Sequence, residues 1–244
     1  MKKILVAAAF FTFCFINAQT SGQLANNQMS AGGANNDAVS YLLGDIKSGN
    51  EKRKIEENDI QGSAYTSETF LPGKLYYKDK LEGDVFYRYN AYMEEIEIKN
   101  VDFPGAPVRG LQRDKNIRVL TPEGKSLSFE TFIDKKGLTQ NGYLQELSRG
   151  KYTLYKRSDV KYTQPMKSQN SFVPAQPARF SKFVEYYIQL EGRNRIDELE
   201  LKKSKLLKLV AESDREALKA HMKERRLSVK NENDILSILV FLNK

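Results

Sequence analysis

His221 is the only histidine in the chain and Cys14 the only cysteine. Nucleophilic catalysis by a triad needs a histidine set between a nucleophile and an orienting acid. Zinc sites need several His or Cys ligands. His221 instead falls beside Ala217, Leu218 and Met222 at helical spacing, the signature of a residue packed at the edge of an apolar face. Gly124-Lys125-Ser126 ends like a phosphate-binding loop, but Val119 stands where that motif needs its first glycine, and Pro122 marks a hairpin turn. Glu94, Glu95 and Glu97 include the spacing of an acid pair. Within a strand, however, Glu95 and Glu97 share a face with Lys99 opposite Ile96 and Ile98, the pattern expected of a solvated strand face. On these grounds no catalytic residue, cofactor or metal ligand is assigned, and the chain reads as a non-enzyme.

Tyrosine is the chemistry that remains. The chain has 13 tyrosines and no tryptophan. Tyr76, Tyr77, Tyr87, Tyr89, Tyr92, Tyr152, Tyr155, Tyr186 and Tyr187 fall in or beside expected strands. Adjacent tyrosines put one ring on each face of a sheet, so some meet solvent or a partner. Exposed rings serve protein and sugar recognition, while β-propensity alone also accounts for their number.

The elements that position these rings are mostly strands. Leu75 and Tyr77 alternate with polar neighbours, Asp79 to Gly83 reads as a turn, and Val85, Tyr87 and Tyr89 resume the alternation. Ile96 and Ile98, Ile117 to Leu120, Leu127 and Phe129, Tyr143 to Leu147 and Tyr152 to Tyr155 continue it. Thr121-Pro122-Glu123-Gly124 is a reversing turn, and residues 164–178, with three prolines, form a long irregular crossover. Val184, Tyr186, Ile188 and Leu190 occupy one face of a last hairpin, with Leu199 and Leu201 returning on it. The final residues switch to helical period. Ser204 is the expected cap of a short helix, Ser213 to Glu216 match a capping box, and Asn231 caps a helix carrying Ile235, Leu236, Ile238, Leu239 and Leu242. The expected fold is therefore mainly β with α: an antiparallel meander, sandwich or barrel-like, over 62–201, then a helical C-terminal cap over 202–244 packed on it.

Residues 1–18 read as a signal peptide. Lys2 and Lys3 precede an apolar run, Ile4 to Ile16, that is shorter than the roughly 20 residues a membrane-spanning helix needs, and Asn17-Ala18 offers a cleavage site. Thr12 and Phe13 before Cys14 do not suit a lipoprotein signal, so no lipid anchor is expected and the mature chain would lack cysteine altogether. Residues 19–61 read as a low-complexity leader and linker, the first half rich in Gln, Asn, Ser and Gly. Removing Lys2 and Lys3 lowers the formal net charge of +8 by two, and the basic residues are interspersed with acidic ones. No basic face for nucleic acid emerges.

Gly62-Ser63-Ala64-Tyr65, Phe70-Leu71-Pro72-Gly73 and Arg88-Tyr89-Asn90-Ala91-Tyr92 with Glu95-Ile96-Glu97 form one block of recognisable motifs. Lys202-Lys203-Ser204 to Leu209, Leu227 to Lys230 and Asp234 to Leu236 form a second. Together with the Asn17-Ala18-Gln19 junction, these blocks resemble uncharacterised exported proteins of Bacteroidota, of the flavobacterial type. The resemblance implies export to the periplasm, the outer-membrane periphery or the medium, and brings no catalytic residue. It singles out Arg88, Tyr89, Asn90 and Tyr92 as a surface contact segment. The expected function is that of a non-catalytic binding or structural module of the cell envelope with a protein partner. Two alternatives stand beside it: a glycan or small-ligand binder using strand tyrosines, and a carboxylate-pair hydrolase. A concave, tyrosine-lined pocket would favour the first alternative.

Overall fold

In a computed structural model, residues 39–46, 60–168, 172 and 174–244 are described. The expected signal peptide and most of the leader lie outside them. The described residues belong to one unit, Ala34–Lys244. Eleven strands form its sheet: β1 (Leu43–Gly44), β2 (Leu71–Tyr77), β3 (Lys80–Asn90), β4 (Glu95–Lys99), β5 (Arg109–Leu111), β6 (Ile117–Leu120), β7 (Ser126–Ile133), β8 (Thr139–Ser148), β9 (Tyr152–Thr163), β10 (Arg179–Leu190) and β11 (Ile196–Glu198). Helices α1 (Lys203–Leu209), α2 (Arg215–Glu224) and α3 (Glu232–Leu242) follow. The protein is thus mainly β with a helical C-terminal part, as the alternation and its late change of period imply.

The strand order is β1-β5-β4-β3-β2-β6-β7-β11-β10-β9-β8, with β7 also paired to β8. Strand β7 is the pivot. One edge carries β8 along its length, while the other pairs with β6 at Ser126–Ser128 and, in parallel, with β11 at Ile133. All other strand pairs are antiparallel. The sheet folds back so that β2 and β3 face β8, β9 and β10. A clasp fastens the open side: Gln61 bridges Arg179 of β10, and Tyr65 bridges Asn90 of β3. Gly62 makes the clasp fit, because its φ is +83° and a Cβ there would lie 2.5 Å from the Phe180 carbonyl oxygen.

Two clusters organise the core. Leu75, Val85, Tyr87, Tyr89, Ile96 and Ile98 pack with Tyr143 and Val160 between the two halves of the sheet. Tyr152, Leu154 and Ile188 pack under Leu206, Leu218, Met222, Ile235, Ile238 and Leu239 of the helices. Helices this short do not stand alone in water, so docking on the sheet is what holds them.

Several local expectations change. The hairpin turn between β2 and β3 is Lys78-Asp79, with φ of 46° and 65°, starting one residue earlier and tighter than the expected Asp79–Gly83 turn; Gly83 lies inside β3. Glu95 and Glu97 are not on a solvated face: they are only 4% and 3% exposed. Strand β4 is an interior strand between β3 and β5, and the face carrying its acids is covered by side chains from β3 and the clasp. Ser204 does not cap α1, whose N-cap is Lys202 with no side-chain bond. The capping box at Ser213 does not form either. Residues Glu212–Asp214 make a 3₁₀ turn, and Ser213 Oγ donates to Asp214, which also accepts from Lys151. Asn231 does cap α3, accepting from Asp234 N–H. The sheet also recruits residues assigned to the linker: Val39, Leu42 and Leu43 are buried, and β1 pairs with β5.

Candidate functional site

The register of β7 to β10 sets up one continuous face. Leu127 is opposite Gln145 and Phe129 opposite Tyr143; Gln145 is opposite Lys156. Lys182, Val184, Tyr186 and Ile188 are opposite Val160, Ser158, Lys156 and Leu154. Directly opposed residues point the same way. The helices cover the Leu154–Ile188 end of this face, and β2 and β3 cover the Leu127–Tyr143–Val160 end. Between the two covers a cavity of about 350 Å³ remains.

Its walls come from both halves of the sheet. Leu71, Tyr87 and Tyr89 form one wall, and Leu127, Tyr143, Gln145, Ser158 and Val160 the other. Thr66 and Ser67 of the clasp, Thr121 and Glu123 of the β6–β7 turn, and Lys156, Asp159, Lys182, Phe183 and Val184 complete it. Phe183 and Val184, 45% and 48% exposed, are apolar residues at its edge. Tyr87 lies against the backbone of β2 because residue 73 is glycine: a Cβ there would come within 2.8 Å of the ring. Tyr89 and Tyr143 meet edge-on with centroids 5.6 Å apart, and Phe129 supports Tyr143 at 5.3 Å.

The hydroxyls of Tyr89 and Tyr143 are buried and have no hydrogen-bond partner among the described residues. Burial pushes both phenols up, and the charge of Glu94 adds to the effect at Tyr89, so both stay neutral donors through the physiological range. A buried hydroxyl left unpaired is costly. Charges at the cavity are balanced. Glu123, Asp159, Lys156 and Lys182 are all among its lining residues, and Lys156 is itself paired with Glu232 at the start of α3, 2.7 Å away. Tyr186 donates to the same carboxylate; burial opposes its ionisation, but the Lys156 and Tyr186 bonds prevail and hold Glu232 below the usual range.

The contact segment expected at the surface divides between inside and outside. Tyr89 lines the cavity and is 4% exposed, not a surface residue. Asn90 is also buried and turns the chain, accepting from Met93 N–H at 3.0 Å. Tyr92 packs between Tyr162 and Phe180. Arg88 points to the opposite side of β3 from Tyr89. Its guanidinium donates to Glu97 at 3.1 and 2.5 Å, to the Glu68 carbonyl at 3.2 Å, and lies over the rings of Tyr65 and Phe70 at 3.8 and 4.6 Å. Tyr65 donates to the other oxygen of Glu97 at 3.0 Å. The segment is therefore a fixed internal contact on one side of β3 and a cavity wall on the other.

The acids go to separate partners. Glu94 pairs with Arg157 at 2.6 Å, and Arg157 also binds Glu185; Glu97 pairs with Arg88; Glu95 is buried against Gly110. Glu130, pushed up by burial despite the bond from Ser128, lies on the other face of β7 from Leu127. Among the described residues no group of three or more His, Cys, Asp or Glu is arranged to hold a metal, and no helix is long and apolar enough to cross a membrane. His221 stacks on Phe241 at 4.2 Å.

No family model, curated protein or solved structure matches the chain.

The tyrosines make stability sensitive to alkali. Burial first, then the Glu97 charge, pushes Tyr65 up to about 12, and burial with the Glu146 and Glu130 charges pushes Tyr155 up to about 12. An unfolded phenol releases its proton near 10. The folded state therefore holds protons that the unfolded state has lost. This stabilisation is complete below pH 10 and disappears as pH rises towards 12. Melting temperature is expected to be level from pH 7 to 9 and to fall steeply above 10. The 295 nm phenolate band should rise with unfolding, not before it. Full tyrosine ionisation at pH 11 with an intact fold would contradict the placement of these rings.

Proposed function

We propose that this protein binds a small ligand, without transforming it, in the cavity between the two halves of its sheet. The observation that carries the reading is the concave space itself, about 350 Å³ between the two halves of the sheet, with Tyr87, Tyr89 and Tyr143 among the residues that line it. Cavities of a few hundred Å³ with apolar walls and a few convergent polar groups are the usual form of small-molecule sites. The expected export of the chain would set this binding in the periplasm, at the outer-membrane periphery or in the medium. The interaction-module reading keeps one supporting feature, the exposed Val184 at the cavity's edge, with Phe183 exposed on the opposite face of β10. Under that reading, tagged full-length protein from gently crosslinked envelopes should retain a stoichiometric protein partner.

Ser158 lines the cavity on β9, and replacing it with phenylalanine fills that space. Ligand-observed NMR against a mixture of sugars, nucleosides, aromatic acids and short-chain acids is expected to give ligands competing for one site. Ser158→Phe should weaken them at least tenfold while the far-UV circular dichroism is unchanged. A mixture without any binder, or binders indifferent to Ser158→Phe, would overturn the proposal.

A further inference from the structure

Beside the cavity one strand edge is left open, and what it takes does not depend on the small-ligand reading above. Strand β10 pairs with β9 along its whole length without a shift in register. Its other edge is taken only at the two ends. Gln61 of the clasp holds the start, accepting from Phe180 N–H at 2.8 Å and donating to the Ala178 carbonyl at 2.9 Å. Strand β11 holds the far end, where Tyr187 to Gln189 pair with Ile196 to Glu198 and the Tyr186 carbonyl accepts from Leu199 N–H.

Successive residues of an antiparallel strand turn their N–H and C=O groups to alternate sides. Phe180 and Tyr186 turn theirs away from β9, so Lys182 and Val184 between them do the same. The backbone groups of these two residues have no backbone partner among the described residues. Lys182, Phe183 and Val184 are all exposed. All three line the cavity although their side chains alternate in face, so the cavity opens onto the edge of the strand itself.

We propose that this edge takes an extended, acidic segment of a partner protein as an added strand. Unpaired backbone at an edge is a template for another chain, and main-chain bonds of this kind give affinity while flanking side chains select the sequence. Here an added strand meets an apolar side chain on either face, Val184 on one and Phe183 on the other. Charge sets its composition. Lys161, Arg179 and Lys182 surround the gap, and none of them belongs to an ion pair among the described residues. Of the acids on the same stretch of β9 and β10, Glu185 is bound to Arg157, which leaves Asp159 opposite Phe183. A second copy of the chain would bring the same cations to the same edge, whereas Asp and Glu set between apolar residues complement it.

The test selects random linear dodecapeptides displayed on phage against the purified full chain. The selected peptides are expected to be acidic. In a synthetic copy of one, methylating the backbone nitrogens of alternate residues should weaken binding at least tenfold in one phase and leave it unchanged in the other, since only every second N–H of an added strand faces β10. Val184→Pro removes an outward N–H, a change that an edge position tolerates. This variant should melt near wild type yet bind at least tenfold more weakly, and Lys182→Glu should weaken binding at least threefold. In the free protein the Lys182 and Val184 amides should exchange with deuterium far faster than those of Phe183 and Glu185, and should slow when the peptide binds. The methylated peptides read the edge on wild-type protein, so the result stands even if Val184→Pro misfolds. Equal binding in both methylation phases would overturn the added strand, and selection of basic or uncharged peptides would overturn the acidic partner. Binding lost in Ser158→Phe but kept in Val184→Pro would overturn the edge and place the peptide in the cavity. A dimer in sedimentation that Val184→Pro dissociates would give the edge to a second copy. Failure to select any peptide would overturn the proposal and leave the small-ligand reading as it stands.

Discussion

Arg88→Ala is expected to destabilise the fold by about 3–5 kcal/mol, because it strands a buried carboxylate. Glu97 is 3% exposed, and its two oxygens are satisfied by Arg88 and Tyr65. Without the guanidinium, one oxygen loses both charge-assisted bonds and the rings of Tyr65 and Phe70 lose the cation between them. A domain of this kind has about 5–15 kcal/mol in total, so the variant should unfold at far lower urea. Lysine should rescue little, since the forked bonds and the flat stacking both need a guanidinium. Arg88→Met combined with Glu97→Leu should recover most of the loss, because the carboxylate then goes too. An unchanged urea midpoint for Arg88→Ala would show that Glu97 is hydrated and the cluster misplaced.

The same segment shows what one strand's sequence reveals. Two-residue periodicity at Val85, Tyr87 and Tyr89 reports that these residues share a face, and all three are buried. It equally reports that Arg88 and Glu97 share the other face with their neighbours, but not whether that face is covered. Coverage of Glu95 and Glu97 comes from residues far away in sequence, Tyr65 and Gly110 among them, so local pattern misassigned it. Strand β5 is hidden for a related reason: three residues following Pro104, Gly105 and Pro107 become a strand because Glu97 and Ile98 pair with them on one side and Leu43 and Gly44 on the other. The box at Ser213 is a local motif overruled by tertiary contact, since Asp214 is engaged by Lys151 of the β8–β9 turn.

The cavity was half legible. Tyr87 and Tyr89 are identifiable as a same-face pair, and a small-ligand site built on strand tyrosines is one of the functions the sequence allows. Tyr143, their counterpart, was readable as a strand residue but not as a site residue. What joins it to Tyr89 is the fold-back of the sheet at β7 and the clasp at Gln61 and Tyr65, which rests on two single-residue bridges. No periodicity announces a contact of that kind, although a glycine held at φ +83° between polar residues is its trace.

Ile188→Asp provides the sharpest check of the helical end. Ile188 is fully buried in β10, opposite Leu154 and beneath the helices. A carboxylate there has no partner, and its burial outweighs what an isolated domain can spare. The expected result is loss of the cooperative thermal transition and of near-UV circular dichroism, with α1 to α3 released together because none is long enough to persist alone. Val184→Asp is the matched control. It lies on the same strand and face four residues earlier but is 48% exposed, so its effect on melting should stay within about 0.5 kcal/mol. Ile188→Val, which only removes a methylene, should cost about 0.5–1.5 kcal/mol. The three together separate cover from strand position. Chemistry and face are constant between the two aspartates, and only the helices above Ile188 differ. Equal melting of Ile188→Asp and Val184→Asp would mean that the helices do not dock on this face.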